Sequence, residues 1–239
     1  MKSISSSLHP LIFLELLLFL SGSKGSSGKY EDKTITDYTL KLLLQLVQQQ
    51  VGHNLALPDQ KILINQSQIF MNASISDGSL TDPSSFAIDT THVNMTTLEF
   101  LVKVSYTSLS ITGKYSLFLD NEYVHMESSD EFSIDIGNMD TSIYMKLNFT
   151  EEQTLQLENF IVDYNMTVKI DIKYLGGNKD VSDTLNKLIN EVTPEIIQST
   201  KPDVQAIAMN EVSEKSKFLL GGMTLQNFID FVNSLVQGQ

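Results

Sequence analysis

The histidines of this chain are the residue type best suited to acid–base or metal chemistry, and their spacing supports neither. Beyond the N-terminal segment they are His53, His92 and His125, so no two lie four residues apart, as paired ligands on one helix face do. A nucleophile elbow of the form G-x-S-x-G is also missing from the sequence. We interpret the histidines as surface or hydrogen-bonded residues, with His125, between Val124 and Met126, as a candidate polar group at a pocket mouth.

Carboxylates are plentiful, but they are dispersed along segments with strand patterns. Asp135, Asp140 and Asp171 are acids of the type that a glycosidase uses, and nothing in their spacing favours that chemistry. The segment Thr112-Gly113-Lys114 is not a P-loop, because Ser108 occupies the position of the first glycine. The sequence has no cysteine, which excludes thiol catalysis and thiolate metal sites. We therefore predict that the protein is not an enzyme and uses no metal or cofactor.

The charge of the chain argues against polyanionic partners. The 239 residues carry a formal net charge of −13, and all 16 basic residues are lysines. An acidic chain without arginine repels nucleic acid and anionic lipid surfaces, and it lacks the planar group that binds phosphate through two hydrogen bonds. We expect no nucleic-acid partner, and we expect affinity for a ligand to come mainly from apolar contacts.

The N-terminus has the order of a secretory signal peptide. Lys2 precedes an apolar block from Leu11 to Leu20, and the small residues Ser21-Gly22-Ser23 follow. A helix that spans a bilayer needs about 20 apolar residues, and this block is shorter. A retained membrane anchor is therefore the less favoured alternative, and we expect no integral membrane span. We predict that residues 1–25 are removed, that residues 26–239 form one domain with a net charge of −14, and that the protein is secreted.

Five N-glycosylation sequons agree with export. Their asparagines are Asn65, Asn72, Asn94, Asn148 and Asn165. Three of them, Asn72, Asn148 and Asn165, lie between apolar residues in an alternating pattern, so we expect them to project into solvent, where a glycan fits. The alternative is that asparagine, serine and threonine are simply common on exposed strand faces.

The clearest structural signal is the alternation of apolar and polar residues from Val162 to Tyr174. A period of two over this length predicts one long strand with a polar and an apolar face, curved or bulged along its course. Shorter strand patterns begin at Ile62, with turn signals at Asp77-Gly78 and Asp120-Asn121. No helical pattern interrupts these strands, so the sheet is predicted to be antiparallel.

Helical patterns flank the strands on both sides. An N-terminal helix is predicted to begin at a cap at Thr34. After Gly176-Gly177-Asn178 a second helix is predicted, with Ser182 as its cap. Pro194 is predicted to kink this helix or to begin a new one. A last amphipathic segment runs from Leu225 to Leu235. The predicted class is α+β: a long curved antiparallel sheet wrapped around a long C-terminal helix, with the N-terminal helix alongside.

Two segments resemble the insect takeout and juvenile-hormone-binding protein family, to which the mite group-seven allergens are similar, within the tubular lipid-binding superfamily. Residues 109–117 are similar to the family's strand-turn element, with Gly113 and Tyr115 two positions apart. Residues 177–197 are similar to the start of its second helix. The chain lacks the cysteine pair usual near the N-terminus of takeout-type proteins, which favours a divergent or allergen-like branch.

The resemblance implies a tunnel between the curved sheet and the long helix that holds an apolar ligand. The apolar strand faces carry several methionines, whose flexible side chains adapt to ligands of varied shape. We predict ligand contacts from Met71, Met95, Phe100, Val102, Leu117, Met145, Leu147, Met166, Val168, Ile170, Leu188 and Val192. The alternative for each methionine is an ordinary place in a packed core.

These observations together predict a secreted carrier of a small hydrophobic ligand, fatty-acid-like or terpenoid-like. Lys103, Lys114 and Lys146 are candidates to contact an ionic head group. The alternative is a recognition protein that docks on lipid aggregates or on a protein partner through an exposed apolar helix face. A closed internal cavity distinguishes the carrier from the docking protein, which would have a packed barrel and an exposed apolar patch.

Overall fold

The computed structural model describes residues 34–66, 69–123 and 125–237. The predicted signal peptide and Ser67 of the first sequon lie outside the described residues. Within these ranges the chain forms three α-helices and one antiparallel sheet of seven strands. The predicted α+β class is confirmed.

The elements follow one another as the sequence patterns indicate. Helix α1 spans Asp37–Gln50. The strands are β1 (Asn54–Leu57), β2 (Gln60–Gln66), β3 (Ile69–Thr81), β4 (Ala87–Asn94), β5 (Glu99–Asn121), β6 (His125–Phe149) and β7 (Leu155–Ile172). A short 3-10 helix, Leu175–Gly177, leads from β7 to α2 (Lys179–Leu220), and α3 (Leu225–Gln237) follows.

Helix α1 begins at a reciprocal cap formed by two threonines. The Thr36 hydroxyl accepts a hydrogen bond from the Thr39 amide at 3.2 Å, and the Thr39 hydroxyl accepts one from the Thr36 amide at 3.3 Å. The cap predicted from the sequence, Thr34, is therefore wrong by two residues. The helix buries one stripe against the sheet, made of Leu43, Leu44, Leu46 and Val47.

Helix α2 is one continuous helix. Asn178 caps it, with its Oδ1 accepting from the Asp180 amide at 2.8 Å. The predicted cap, Ser182, is instead buried within the helix, and its hydroxyl donates to the backbone carbonyl of Ile172. Pro194, where the sequence predicts a kink or a new start, lies inside the helix.

A bulge keeps one face of the long strands apolar along their whole length. Between Gly137 and Asp140 the pairing of β6 with β7 shifts by one residue, and Asn138 adopts a left-handed conformation with φ of 46°. The extra residue returns Met139 to the face that carries Ile136. We call this continuous apolar side of the sheet the inner face and the opposite side the outer face.

A second bulge explains one wrong turn prediction. The pairing of β3 with β5 shifts between Ser76 and Ser79, with Asp77 at φ of 53°, so the chain passes through Asp77-Gly78 without reversing. Aspartate and glycine tolerate a positive φ in bulges as well as in turns, and the sequence does not distinguish the two. The other signal, Asp120-Asn121, lies at the end of β5, where the chain does reverse into β6.

Two buried clusters occupy the inner face. The main core joins the sheet to all three helices and includes Leu44, Leu147, Ala208 and Ile229 among its members. The second core consists of Leu80, Leu109, Ile136 and Met139. Tyr106 packs against both clusters, and its hydroxyl donates to the Pro83 carbonyl at 3.2 Å. Burial raises the pKa of Tyr106 to about 12.

Helix α2 lies along β7, the last strand of the sheet, and satisfies its backbone with side-chain amides. Asn190 accepts from the Ile170 amide and donates to the Ile170 carbonyl, both at 2.7 Å. Asn186 pairs with Ile172 in the same way, and Gln205 bridges two backbone groups farther along β7. A strand edge that would otherwise expose unpaired donors and acceptors is therefore closed by a helix.

Candidate functional site

An apolar cavity of about 150 Å³ lies between the inner face and the three helices. The sheet supplies Phe100, Val102, Ile143, Met145, Leu147 and Phe160 to its lining. The helices and their connections supply Ile35, Leu40, Leu43, Val212, Ser216, Leu219, Leu220, Met223, Phe228, Phe231, Val232 and Leu235. The cavity is thus one end of the main core, incompletely filled.

Helix α3 covers the cavity, and both its start and its apolar face are fixed to the sheet. The Leu155 amide at the start of β7 donates to the Met223 carbonyl at 2.8 Å. Within the cavity the ring of Phe228 packs edge-on against Phe100, with 6.1 Å between ring centroids. The connection from α2 contains Gly222 in a left-handed conformation, with φ of 78°, which lets the chain turn back over the sheet.

The lining is suited to burial of apolar surface and offers almost no polar contact. Among the described residues Ser216 is the only polar side chain of the lining, and its hydroxyl donates to the Ser213 carbonyl at 2.9 Å. None of the described residues that line the cavity is charged. Such a site binds by removing apolar area from water, at about 25 cal/mol for each Å². A volume of about 150 Å³ accommodates a molecule of about the size of benzene.

The structure brings four of the twelve predicted ligand contacts to the cavity: Phe100, Val102, Met145 and Leu147. Six others lie elsewhere on the sheet or in a core. Met95 packs against the main core, Met166 and Val168 pack against the second core, and Met71, Leu117 and Ile170 are half-buried.

Two of the predicted contacts lie outside the cavity on an exposed helix face. Leu188 and Val192 of α2 are 53% and 48% exposed and lie outside the cavity lining. Both residues are exposed because a different side of α2 faces the sheet. Asn186 and Asn190 face β7 and bond its backbone, so the side of the helix that carries Leu188 and Val192 is directed away from that contact.

Helical residues were missed because periodicity identifies an apolar face but not the surface that it contacts. Phe228 and Val232 belong to the last amphipathic segment of the sequence, and Leu43 belongs to the first. Both stripes were visible in the sequence as helix faces. Their apolar side chains are the feature that could have assigned these residues to the site. In the structure they line the same cavity as strand residues such as Met145.

The predicted polar contacts for a ligand head group also lie outside the cavity lining. The His125 ring packs edge-on against Phe118 on the outer face, and its side chain is 68% exposed. Lys114 pairs with Asp77 at 2.8 Å, a hydrogen bond that raises the pKa of Lys114. Neither residue lines the cavity.

The other two lysines also lie outside the cavity lining. Lys146 pairs with Glu158 at 2.9 Å, and this hydrogen bond raises the pKa of Lys146. Lys103 is exposed on β5. Ordinary surface ion pairs of this kind contribute little to stability, because water screens both charges.

The sequons differ in accessibility. Asn65, Asn72 and Asn165 are exposed. Asn94 is half-buried, and its Oδ1 accepts hydrogen bonds from two backbone amides of the following turn, at 3.0 and 3.2 Å. Asn148 is half-buried with its amide oxygen fully covered and without a hydrogen-bond partner among the described residues, so the expectation that it projects into solvent is wrong.

The segment that carries the family resemblance has a clear structural role. Gly113 lies opposite Phe132, and a Cβ atom added at Gly113 would stand 2.8 Å from a carbon of that ring. The Tyr115 hydroxyl hydrogen-bonds the Ser128 hydroxyl and donates to the Lys173 carbonyl, both at 2.7 Å. The glycine therefore makes room for a ring on the inner face, and the tyrosine joins β5 to β6 and to the residue that follows β7.

Metal sites and membrane spans have no counterpart in the described part of the chain. No group of three or more histidine, aspartate or glutamate side chains there is placed to hold a metal ion. None of the described helices is both long enough and apolar enough to cross a membrane.

Two solved structures of other proteins are similar to this one. The chain is similar to Epiphyas postvittana Takeout 1, with 15% identity, a TM-score of 0.45, and coverage of 72% of this chain and 80% of that one. It is similar to lipopolysaccharide binding protein at 12% identity and a TM-score of 0.40, covering 76% of this chain and 39% of that one. Likeness of this extent carries no information about function.

The sequence comparisons identify the family. No curated protein sequence matches the chain. The family model described as haemolymph juvenile hormone binding protein matches residues 54–230, which include all seven strands, α2 and the start of α3. The chain therefore belongs to the haemolymph juvenile hormone binding protein family.

Proposed function

We propose that the protein is an extracellular carrier that binds a small hydrophobic ligand, fatty-acid-like or terpenoid-like, in the cavity beneath α3. The observation that carries this proposal is an apolar space between the sheet and α3 whose lining, among the described residues, has one polar side chain, Ser216, and no charge. A packed core has no reason to leave about 150 Å³ unfilled, because an empty apolar cavity costs stability. The family name, which refers to haemolymph and to hormone binding, supports both the compartment and the ligand class.

The energy for binding comes from desolvation. Each buried methylene contributes about 0.8 kcal/mol, so a ligand of about fifteen carbons gains roughly 12 kcal/mol before the costs of association. Those costs amount to at least about 4 kcal/mol, which leaves at most about 8 kcal/mol and therefore a dissociation constant in the micromolar range or weaker. No catalytic step is part of the proposal.

A ligand of that length exceeds a cavity of about 150 Å³, so α3 must move to admit it. Phe228, Phe231, Val232 and Leu235 all face the cavity from α3, and their displacement away from the sheet would enlarge it. The helix is joined to α2 through Gly221-Gly222, which can absorb a change in direction.

A second candidate function is docking on lipid aggregates, and a specific surface favours it. Val181, Leu188, Val192 and Ile196 of α2 are between 44% and 53% exposed and form one apolar stripe, which we call the helix stripe. An amphipathic helix with such a stripe can lie on a lipid surface. The net charge of −13 opposes contact with anionic lipid, so a neutral surface is the better partner.

One titration separates the two functions. Met145→Trp fills the cavity, whereas Leu188→Trp changes the helix stripe with the same new side chain. For a carrier we expect Met145→Trp to weaken binding of a fluorescent fatty acid at least about tenfold, since a bulky ring occupies the ligand's place, and Leu188→Trp to leave it unchanged. The opposite pattern, with loss only at Leu188, would reject the carrier in favour of docking.

A further inference from the structure

The outer face of the sheet carries an exposed apolar patch far from the cavity lining. Leu63 of β2 is 66% exposed, and Phe70 of β3 is 36% exposed. The Phe70 ring packs edge-on against Phe118 of β5 with 5.7 Å between centroids, and Phe118 packs in the same manner against His125 at 5.4 Å. We call these four residues the outer patch. Exposed apolar area of this kind on a sheet requires a reason, because it favours self-association.

Asn72 lies in the middle of the outer patch. In the strand register Leu63 lies opposite Asn72, and Asn72 lies opposite Phe118, so the three side chains form one row across β2, β3 and β5 on the same face. The next row places Asn65 opposite Phe70. Both asparagines are exposed and both begin a sequon.

The same part of the sheet has an open edge. Strand β2 pairs with β3 alone. The edges formed by β7 and β4 are bonded by helices: β7 through Asn186 and Asn190, and β4 through Asp37, whose Oδ1 accepts from the Val93 amide at 2.6 Å. Strand β2 has three aliphatic residues in a row, Ile62 to Ile64, and one charged residue, so it is suited to pairing with a second chain.

We propose that Asn72 carries an N-linked glycan, with a second at Asn65, and that these glycans cover the outer patch and block pairing at β2. A glycan is bulky and hydrophilic, and the carbon–hydrogen faces of its sugar rings pack against aromatic rings. Attached at Asn72, its first sugar stands between Leu63 and Phe118. The glycans would thus prevent a second chain from pairing with the edge of β2, as α2 prevents such pairing at the edge of β7.

The proposal is independent of ligand binding and is tested on the full chain secreted from insect cells. Peptide mapping by mass spectrometry should find sugar on Asn72. Asn72→Gln and Ser74→Ala change different side chains, and both remove the same sequon. Asn165→Gln, which removes an exposed sequon on β7, is the matched control.

The readout is self-association, measured by sedimentation over a range of protein concentrations. Loss of the Asn72 sequon should strengthen association at least about tenfold, and Leu63→Lys in the same background should reverse the effect, because the charge interrupts the apolar surface. Enzymatic removal of glycans from the folded wild-type protein should reproduce the change, which settles the matter if a variant is not secreted. An unmodified Asn72, or an association unchanged by deglycosylation, overturns the proposal.

Discussion

The side-chain amide of Asn186 exchanges two hydrogen bonds with the backbone of Ile172: its Oδ1 accepts from the Ile172 amide at 3.0 Å, and its Nδ2 donates to the Ile172 carbonyl at 3.1 Å. These are the two bonds that a neighbouring strand would make. The amide of α2 thus takes the place of an eighth strand at the edge of a seven-stranded sheet. This contact fixes the direction in which the rest of the helix faces.

Replacing Asn186 should reveal the strength of this contact. Asn186→Leu preserves the approximate volume but leaves the Ile172 amide without its partner and the Ile172 carbonyl with the Ser182 hydroxyl alone, so the free energy of unfolding should fall by about 1–3 kcal/mol. Urea unfolding measures the loss. Asn210→Leu, at an exposed asparagine of the same helix, is the control, and an equal effect of both changes would contradict the assignment.

A carboxylate in the cavity should abolish ligand binding. Met145→Asp places an unpaired charge in the apolar lining, so we expect loss of fluorescent fatty-acid binding together with at least about 2 kcal/mol of destabilisation. Met166→Asp, in contact with the second core outside the lining, should destabilise the fold while the remaining folded protein still binds. Unchanged binding by the Met145 variant would remove the cavity from the function.

The stability of the protein should depend on Tyr106 at high pH. Burial raises the pKa of Tyr106 from 10.0 to about 12 in the folded state, so its contribution is complete below pH 10 and is lost as the pH rises toward 12. Tyr106→Phe should therefore flatten the alkaline decline in unfolding free energy by about 2–3 kcal/mol over that interval. Tyr123→Phe, at a tyrosine that is 86% exposed, controls for the loss of one phenol. Parallel alkaline curves for Tyr106→Phe and the wild type would contradict the prediction.

A single methyl group at Gly113 should disturb the inner face. The added Cβ of Gly113→Ala would lie 2.8 Å from a Phe132 ring carbon and 3.1 Å from the Ser76 carbonyl oxygen, so we expect a loss of about 1–3 kcal/mol in thermal or urea unfolding. Gly52→Ala meets nothing closer than 3.9 Å and should not destabilise. Equal stabilities of the two variants would show that Phe132 can move aside at little cost.

Ligand binding should depend weakly on salt. The cavity has no charged lining residue among those described, and burial of apolar area is not screened by ions. Titration of a neutral apolar probe at low and high salt should give nearly equal dissociation constants. A steep loss of affinity with salt would instead indicate electrostatic docking, which a net charge of −13 allows only with a cationic surface.

Much of the sheet could be predicted from the sequence, because its side-chain alternation is local. The pattern from Val162 to Tyr174 correctly predicts the long strand β7 and its inner face. The bulge at Asp77-Gly78 could not be distinguished from a turn, since both use the same backbone conformation. The cavity lining was harder to predict than the sheet. Met145 was among the predicted contacts, but the lining residues on α3 depend on how that helix packs against the sheet, which periodicity does not encode.

The orientation of helix α2 also could not be predicted from the sequence. Leu188 and Val192 form an apolar stripe that, by periodicity alone, belongs against a core. The edge of β7 has unpaired backbone groups, however, and these are satisfied by Asn186 and Asn190. The need for hydrogen bonds at the edge determines which side of the helix faces the strand, and that need arises only once the sheet exists.

The cavity is built from parts of the chain that are synthesised far apart in time. Its walls include α1, at the start of the described chain, and α3, at the end of the described chain, whereas β5, β6 and β7 pair with their neighbours in sequence. Closing a loop of nearly the whole domain carries an entropic cost that hairpins avoid, so the site should be assembled after the sheet. It is then also the part that opens with the least work. Entry of a ligand and the first step of unfolding would share one motion, and an occupied site would prolong the lifetime of the folded protein.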